Sequence, residues 1–256
     1  MNALEIDHLS VRYGRATVVD DVSLVVPSGR TLGLVGESGS GKSTIAAAAV
    51  GLVPLAAGEV RADGVVASGR GAAARAARRR LQLVFQDPFS ALDPRMSIGD
   101  SIAEALRASG RTFSRDARVE RVRELLTLVH LDPDRAGDTP DAFSGGQRQR
   151  VTIARALAGE PRVLIADEVT SALDVSVQGA ILNLLRELQD NLGLSMLFIS
   201  HNLAVVRYIS DEIAVMRHGR IVESGPTEQL LAAPSERYTL DLLDAVPVLG
   251  VRMAAG

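Results

Sequence analysis

The sequence predicts an α/β fold built around a parallel sheet, and three observations carry that prediction. Short, almost wholly apolar runs recur between segments of helical pattern: RTLGLV (30–35), LQLVF (81–85), RVLIAD (162–167) and LSMLFIS (194–200). Parallel strands read this way when crossover helices cover both faces of their sheet. Segments 3–13 and 17–26 instead alternate apolar and polar residues, the pattern of half-buried antiparallel strands. Between about 88 and 160 the strand signals give way to helical ones, which reads as a helical subdomain inserted into the α/β core.

Each element follows from local chemistry. Small apolar residues over 42–51 make a buried helix that stops near Gly51 and Pro54. EVRADGVV (59–66) is a hairpin around Asp63-Gly64. The Ala- and Arg-rich stretch 67–80 reads as a linker, with Arg78–Arg80 as a solvated face. SIGDSIAEALRASG and RDARVERVRELLTLVHL are helices, and a third helix begins near Ser144. Further helices cover 175–191 and 202–209, and EIAVMRHGRIVESG is a hairpin around His218-Gly219. The expected organisation is one domain over 1–256, with a short C-terminal extension over about 226–256.

Composition narrows the function. The chain has 256 residues, 46% hydrophobic and 23% charged, enough for a full core. A net charge of −3 offers no basic surface, so no nucleic-acid partner is expected. The absence of cysteine excludes disulfides, thiolate metal sites, iron–sulfur clusters and a cysteine nucleophile. The longest apolar stretch, 45–58, is too short to span a bilayer and contains Pro54. The N-terminal residues MNALEIDHLS carry no signal-peptide pattern. Work at a membrane would therefore need another chain to supply the spans.

GESGSGKST (36–44) contains Lys42, the only lysine; every other basic residue is arginine. Coding bias alone would explain scarce lysine, and it makes the survivor informative. The spacing Gly36-x4-Gly41-Lys42-Ser43, between a strand and a helix, is that of a phosphate-binding P-loop. Its glycines let backbone N–H groups wrap an anion, and the loop needs a compact cation rather than a planar guanidinium. Gly36, Ser38, Gly39, Gly41, Lys42, Ser43 and Thr44 are the expected nucleotide-binding set, with Ser43 a Mg²⁺ ligand. Asp167 and Glu168 close the run VLIAD at the carboxyl end of a strand, where open α/β sheets place ligands. Asp167 suits a Mg²⁺ shell and Glu168 suits a general base for water. Two solvated acids in a turn is the plain alternative.

FSGGQRQRVTIARAL (143–157), lying shortly before IADE, resembles the signature of ATP-binding cassette ATPases. Tyr13, Gln86 in VFQDP, SALD (171–174) and His201 in FISHN extend the resemblance over nearly the whole chain. It implies a P-loop NTPase (RecA-like) core with an antiparallel β subdomain and an inserted helical subdomain, using ATP and Mg²⁺. It also implies two copies placed head to tail, each ATP lying between one P-loop and the partner's Ser144, Gly145, Gly146 and Gln147. Tyr13 would stack on adenine, and Gln86 would touch the Mg²⁺ and water shell. His201 would contact the γ-phosphate, joining Glu168, Gln86 and Lys42 in the catalytic set, and Asp174 would bridge the dimer. Val169 stands where the family commonly has proline, Phe143 where leucine is common, and ERYT (236–239) lacks a common His-Pro. The first of these departures leaves catalytic competence open.

FQDPFSALDPRMSIGDSIAEAL, ADEVTSALDVSVQGAILNLL and YTLDLLDAVP resemble ATPases of bacterial oligopeptide and dipeptide importers and their nickel-importing relatives. The implied partners are a second ATP-binding subunit, identical or paralogous, two transmembrane permeases and an extracytoplasmic substrate-binding protein. The implied place is the cytoplasmic face of the cell membrane. Nickel or another small solute stays open as cargo, as does a non-transport role on DNA or ribosomes. A P-loop GTPase is excluded on one point: its base-reading Asn-Lys-x-Asp needs a second lysine.

Overall fold

A computed structural model describes the chain over residues 1–244; the last residues of the expected C-terminal extension, 245–256, lie outside the described residues. The N-terminal strands β1 (Asn2–Tyr13) and β2 (Ala16–Pro27) form an antiparallel hairpin. Strand β3 (Thr31–Val35) then runs into the glycine loop and helix α1 (Lys42–Ala49). Strands β4 (Ala57–Ala62) and β5 (Val65–Val66) complete a four-stranded sheet of order β2-β1-β4-β5.

Helix α2 (Ala72–Arg79) corrects the expectation of a linker over 67–80. Alanine contributes little hydrophobic signal yet has the highest helix propensity, so the pattern is weak while the helix is stable. Ala74 and Ala77 pack inward. Arg78 departs from the expected solvated face: its guanidinium donates to the carbonyls of Ala67 and Gly69, the latter at 2.9 Å, and so closes the chain before the helix.

Strand β6 (Leu81–Val84) leads into a helical stretch of α3 (Pro88–Ala91), α4 (Ile98–Ala108) and α5 (Arg115–Leu128). Ser97 and Ser114 cap α4 and α5, each hydroxyl accepting a backbone N–H from the first turn. Two 3-10 turns, Pro133–Gly137 and Pro140–Ala142, carry the chain to α6 (Gly145–Leu157). There follow β7 (Val163–Asp167), α7 (Val175–Leu192), β8 (Ser195–Ser200) and α8 (Leu203–Ile209). The hairpin β9 (Glu212–Arg217) and β10 (Arg220–Pro226), then α9 (Thr227–Ala232) and α10 (Arg237–Asp244), end the described chain.

The second sheet has six strands in the order β10-β9-β3-β8-β7-β6, parallel except for β10 at one edge. Strands β3, β7 and β8 are buried at every residue, which explains their continuous apolar runs. Alternation still sorts their side chains between two cores. Ile165, Leu197 and Ile199 join α1 and the antiparallel sheet. Leu164, Ala166, Met196 and Phe198 instead meet α6, α7 and α8. Phe198 is fully buried at the centre of the second core. Phe198→Ala should lower the unfolding free energy by about 3–5 kcal/mol, read from urea denaturation followed by circular dichroism.

Strand β8 separates the loop-bearing β3 from the acid-bearing β7. Its carboxyl end therefore delivers Ser200 and His201 between the two. This order, more than any local motif, assembles the site.

Candidate active site

The glycine loop, Gln86 and Glu168 converge on one cavity of about 230 Å³, lined by Val18, Ser38, Gly39, Gly41, Lys42, Ser43, Thr44, Gln86 and Glu168. Eight of the nine, all but Val18, are candidates from separate sequence motifs, and the fold brings them to one space. A larger cavity of about 530 Å³ lies between β6, α4 and α6, with Phe85 and Arg155 among its walls. It contains no loop residue, and the site chemistry is elsewhere.

Lys42 opens α1 and is 4% exposed. Its ammonium donates to the carbonyls of Gly36 and Glu37, each at 2.8 Å, and to Ser40 Oγ at 3.4 Å. Burial pushes its pKa down, against the opposing pull of Glu168, Asp167 and Glu37. Gly36 is required by packing as well as by any ligand, since a Cβ there would stand 2.1 Å from the Met216 carbonyl of β9. Gly41, with φ 108°, occupies the left-handed region and caps α1 without a side chain.

Asp167 ends β7 at 7% exposure. Burial raises its pKa, and the nearby Glu168 adds to that; the Ser43 hydroxyl and Lys42 pull it back. Ser43 Oγ donates to Asp167 Oδ1 at 3.1 Å. A hydroxyl and a carboxylate oxygen side by side are hard donors of the kind Mg²⁺ takes alongside phosphate oxygens. No group of three or more His, Cys, Asp or Glu side chains able to hold a metal exists among the described residues. One hydroxyl and one carboxylate oxygen are too few for a protein-only cage and fit an ion shared with a phosphate ligand.

Glu168 follows at φ +49°, a left-handed conformation costly for glutamate. Its N–H donates to the Ile199 carbonyl at 3.0 Å, and its own carbonyl accepts from Ser171 N at 3.0 Å and Ser171 Oγ at 2.9 Å. Those bonds hold the turn, so that Glu168 lines the cavity while Asp167 reaches it only through Ser43. His201 Nδ1 lies 3.2 Å from Glu168 Oε1. Val169, in the position noted as a departure from proline, is 1% exposed and belongs to the core beneath the turn.

The remaining candidates lie elsewhere. Tyr13 ends β1, pairs with Ala16 across the hairpin and is 52% exposed, so its ring is uncovered. Ser144 caps α6 and forms a capping box with Gln147: Ser144 N donates to Gln147 Oε1 at 3.0 Å, and Gln147 N donates to Ser144 Oγ at 3.4 Å. Gly146 is demanded by the close approach of α7, where a Cβ would stand 2.4 Å from Val177 Cγ1. At Gly145 a Cβ would meet only an ordinary contact, 3.7 Å from Leu173 Cδ2. Arg148 Nε donates to the carbonyls of Pro140 and Phe143, and the Arg135 guanidinium lies 4.0 Å from the centre of the Phe143 ring. These contacts hold the tip without any ligand. Asp174 caps α7, accepting from Val177 N at 2.9 Å and Ser176 Oγ at 2.6 Å, and these bonds hold its carboxyl below the ordinary range. Among the described residues lining the loop cavity, none comes from Tyr13, the SGGQ tip or Asp174.

Sequence reading missed two contributors. Val18 lines the cavity from β2 with no chemical signature to announce it. Tyr238 in α10 accepts a hydrogen bond from Glu37 N at 3.0 Å; its YTLDLL context drew notice only as a resemblance.

A sequence profile described as ABC transporter matches residues 19–171. A provisionally named peptide import ATP-binding protein of Brucella abortus is 52% identical over 231 residues, spanning 90% of this chain and 69% of that protein. One of Brucella ovis is 48% identical over 241 residues, spanning 94% and 76%. Among solved structures, cbiO1 from Clostridium perfringens, part of the ABC transporter complex cbiONQ, superposes with a TM-score of 0.81 at 26% identity, covering 90% of this chain and 91% of that one. The dimeric ATP-binding cassette MJ0796, bound to ADP and Pi, gives 0.77 at 27% identity, covering 88% and 98%. A profile spanning more than half of the chain, relatives near half identity and the superposed cassettes lead to one conclusion: the chain belongs to the ABC transporter family and is an ATP-hydrolysing enzyme of that family.

Proposed function

We propose that this chain powers a bacterial importer for oligopeptides or dipeptides by hydrolysing ATP at the loop cavity. The observation that carries the reading is the convergence of Lys42, Ser43, Gln86 and Glu168 on one cavity, with Asp167 bonded to Ser43 at its edge. The peptide class rests on the names of the Brucella relatives, which also weigh against nickel. A role on nucleic acid gains no support from a net charge of −3.

In the reaction, the loop N–H groups and the α1 N-terminus cradle the phosphates, and Lys42 neutralises charge that builds on the β–γ bridging oxygen. Glu168 takes a proton from water as the water oxygen attacks the γ-phosphorus. The bond from that phosphorus to the bridging oxygen breaks, leaving ADP and inorganic phosphate. His201 Nδ1 lies 3.2 Å from Glu168 Oε1, and with its proton on Nδ1 it would donate there and hold the carboxylate toward the water. Ser43 and Asp167 would hold Mg²⁺, which when bound supplies charge neutralisation and orientation of the terminal phosphates. Gln86, just beyond β6, links the cavity to the helical stretch that follows it.

The Ser144–Gly146 tip is a second helix N-terminus suited to phosphate, yet it stands apart from the chain's own cavity. Two copies head to tail would bring one tip to the other's loop, with Asp174 at the same junction, and the dimeric ADP- and Pi-bound cassette supports such a pair. Tyr13, uncovered on the hairpin, would stack on adenine. No helix among the described residues is long and apolar enough to cross a membrane. The family and the cassette of the cbiONQ complex support spans on two permease subunits, with this chain peripheral on the cytoplasmic face and a binding protein outside.

Co-purification with the permeases, followed by ATPase assays in liposomes with the binding protein, tests the reading. Peptides should stimulate turnover several-fold and Ni²⁺ should not. Stimulation by Ni²⁺ alone would move the assignment to a metal importer.

A further inference from the structure

We propose that Tyr238 is a positioning residue for the P-loop: from α10, its hydroxyl fixes the Gly36–Glu37 peptide whose carbonyl holds the Lys42 ammonium. The two contacts belong to one planar unit. Glu37 N donates to Tyr238 Oη at 3.0 Å, and the Gly36 carbonyl on the same peptide accepts from Lys42 Nζ at 2.8 Å. A peptide is rigid about its C–N bond, so whatever orients the N–H also orients the carbonyl. The same unit is braced from below, because Gly36 is packed against the Met216 carbonyl of β9.

Tyr238 is itself held. It is 5% exposed, and the next residue of β9, Arg217, places its guanidinium 4.7 Å from the ring centre. Burial raises the phenol pKa above its ordinary value, so the oxygen meets Glu37 as a neutral hydroxyl. Helix α10 is tied to β10 through one carboxylate. Glu223 accepts from Ser235 N at 2.7 Å, Ser235 Oγ at 2.8 Å, Glu236 N at 3.3 Å and the Thr239 hydroxyl. A buried hydroxyl at the end of that tether reaches the loop across about two hundred residues of sequence, 201 by the bond itself. The C-terminal segment thereby sets where the lysine stands before nucleotide arrives.

The inference rests on the P-loop as the ATP site, and its test separates the two. Tyr238→Phe keeps the ring against Arg217 and removes only the acceptor, leaving the Glu37 N–H unpaired. Calorimetry should show ATP affinity weakened about three- to tenfold, the scale of one lost uncharged hydrogen bond. KM should rise by the same factor, with kcat within about twofold and the melting temperature nearly unchanged. Glu223→Gln, far from nucleotide, should shift affinity the same way, and the double variant should not exceed the larger single effect. Wild-type affinity in Tyr238→Phe would overturn the proposal, as would a fall in kcat that tracks a lower melting temperature with KM unchanged. Failure of the ATP site itself would show differently, as no nucleotide binding by the wild-type chain.

Discussion

Glu168→Gln should lower ATP turnover by about a hundredfold or more, the scale of losing a general base. The substitution is nearly isosteric, so it isolates the chemistry. Glutamine keeps an oxygen to accept from His201 Nδ1, where Glu168 Oε1 now lies at 3.2 Å. It also keeps the backbone bonds from Glu168 to Ile199 and Ser171, which hold the left-handed turn at φ +49°. What disappears is the ability to receive a proton from water. Nucleotide affinity should persist, because Lys42 and the loop amides are untouched. A dimer that forms on ATP and dissociates after hydrolysis should therefore accumulate, visible as a shift in size-exclusion chromatography with ATP and Mg²⁺. Single-turnover kinetics give the rate directly. Wild-type turnover in this variant would remove Glu168 from the role of base and leave its strained backbone without a catalytic purpose.

Much of this site is legible in the sequence because its chemistry is local. The P-loop needs glycines and one lysine within a few residues, and the strand end VLIADE needs only an apolar run followed by acids. What sequence could not supply is adjacency across the sheet. The order β3-β8-β7 that places His201 beside Glu168 depends on crossover connections and not on any motif. Gly146 shows the opposite difficulty: the motif points to phosphate, yet Val177 stands 2.4 Å from where a Cβ would lie whatever the ligand. Asp174, similarly, already caps α7 within its own chain. Helix α2 escaped notice because alanine forms helices without leaving a hydrophobic stripe. Tyr238 was hidden by distance, since nothing in YTLDLL indicates a bond to residue 37.

Lys42→Arg should reduce hydrolysis by about a hundredfold or more while leaving the fold in place, even though the charge is conserved. The chain supplies its own comparison, because every other basic position is arginine. If bias alone had spared Lys42, arginine would serve equally well here. Geometry says otherwise. The ammonium sits 4% exposed between two carbonyls at 2.8 Å, a point charge with donors in three directions. A guanidinium is planar and wider, with donors fixed in a fork, and cannot satisfy both carbonyls from the same place. The loop cannot retreat to make room, since Gly36 already stands against the Met216 carbonyl. Arginine must then swing into the cavity shared with Ser43, Gln86 and Glu168, occupying the space proposed for phosphate. The cost to stability should stay near the 1–3 kcal/mol of an overpacked site, so circular dichroism and the melting curve should still report a folded protein. Near-normal turnover in a folded Lys42→Arg variant would show that the cradle reads charge alone, and the shape argument for the single lysine would fail.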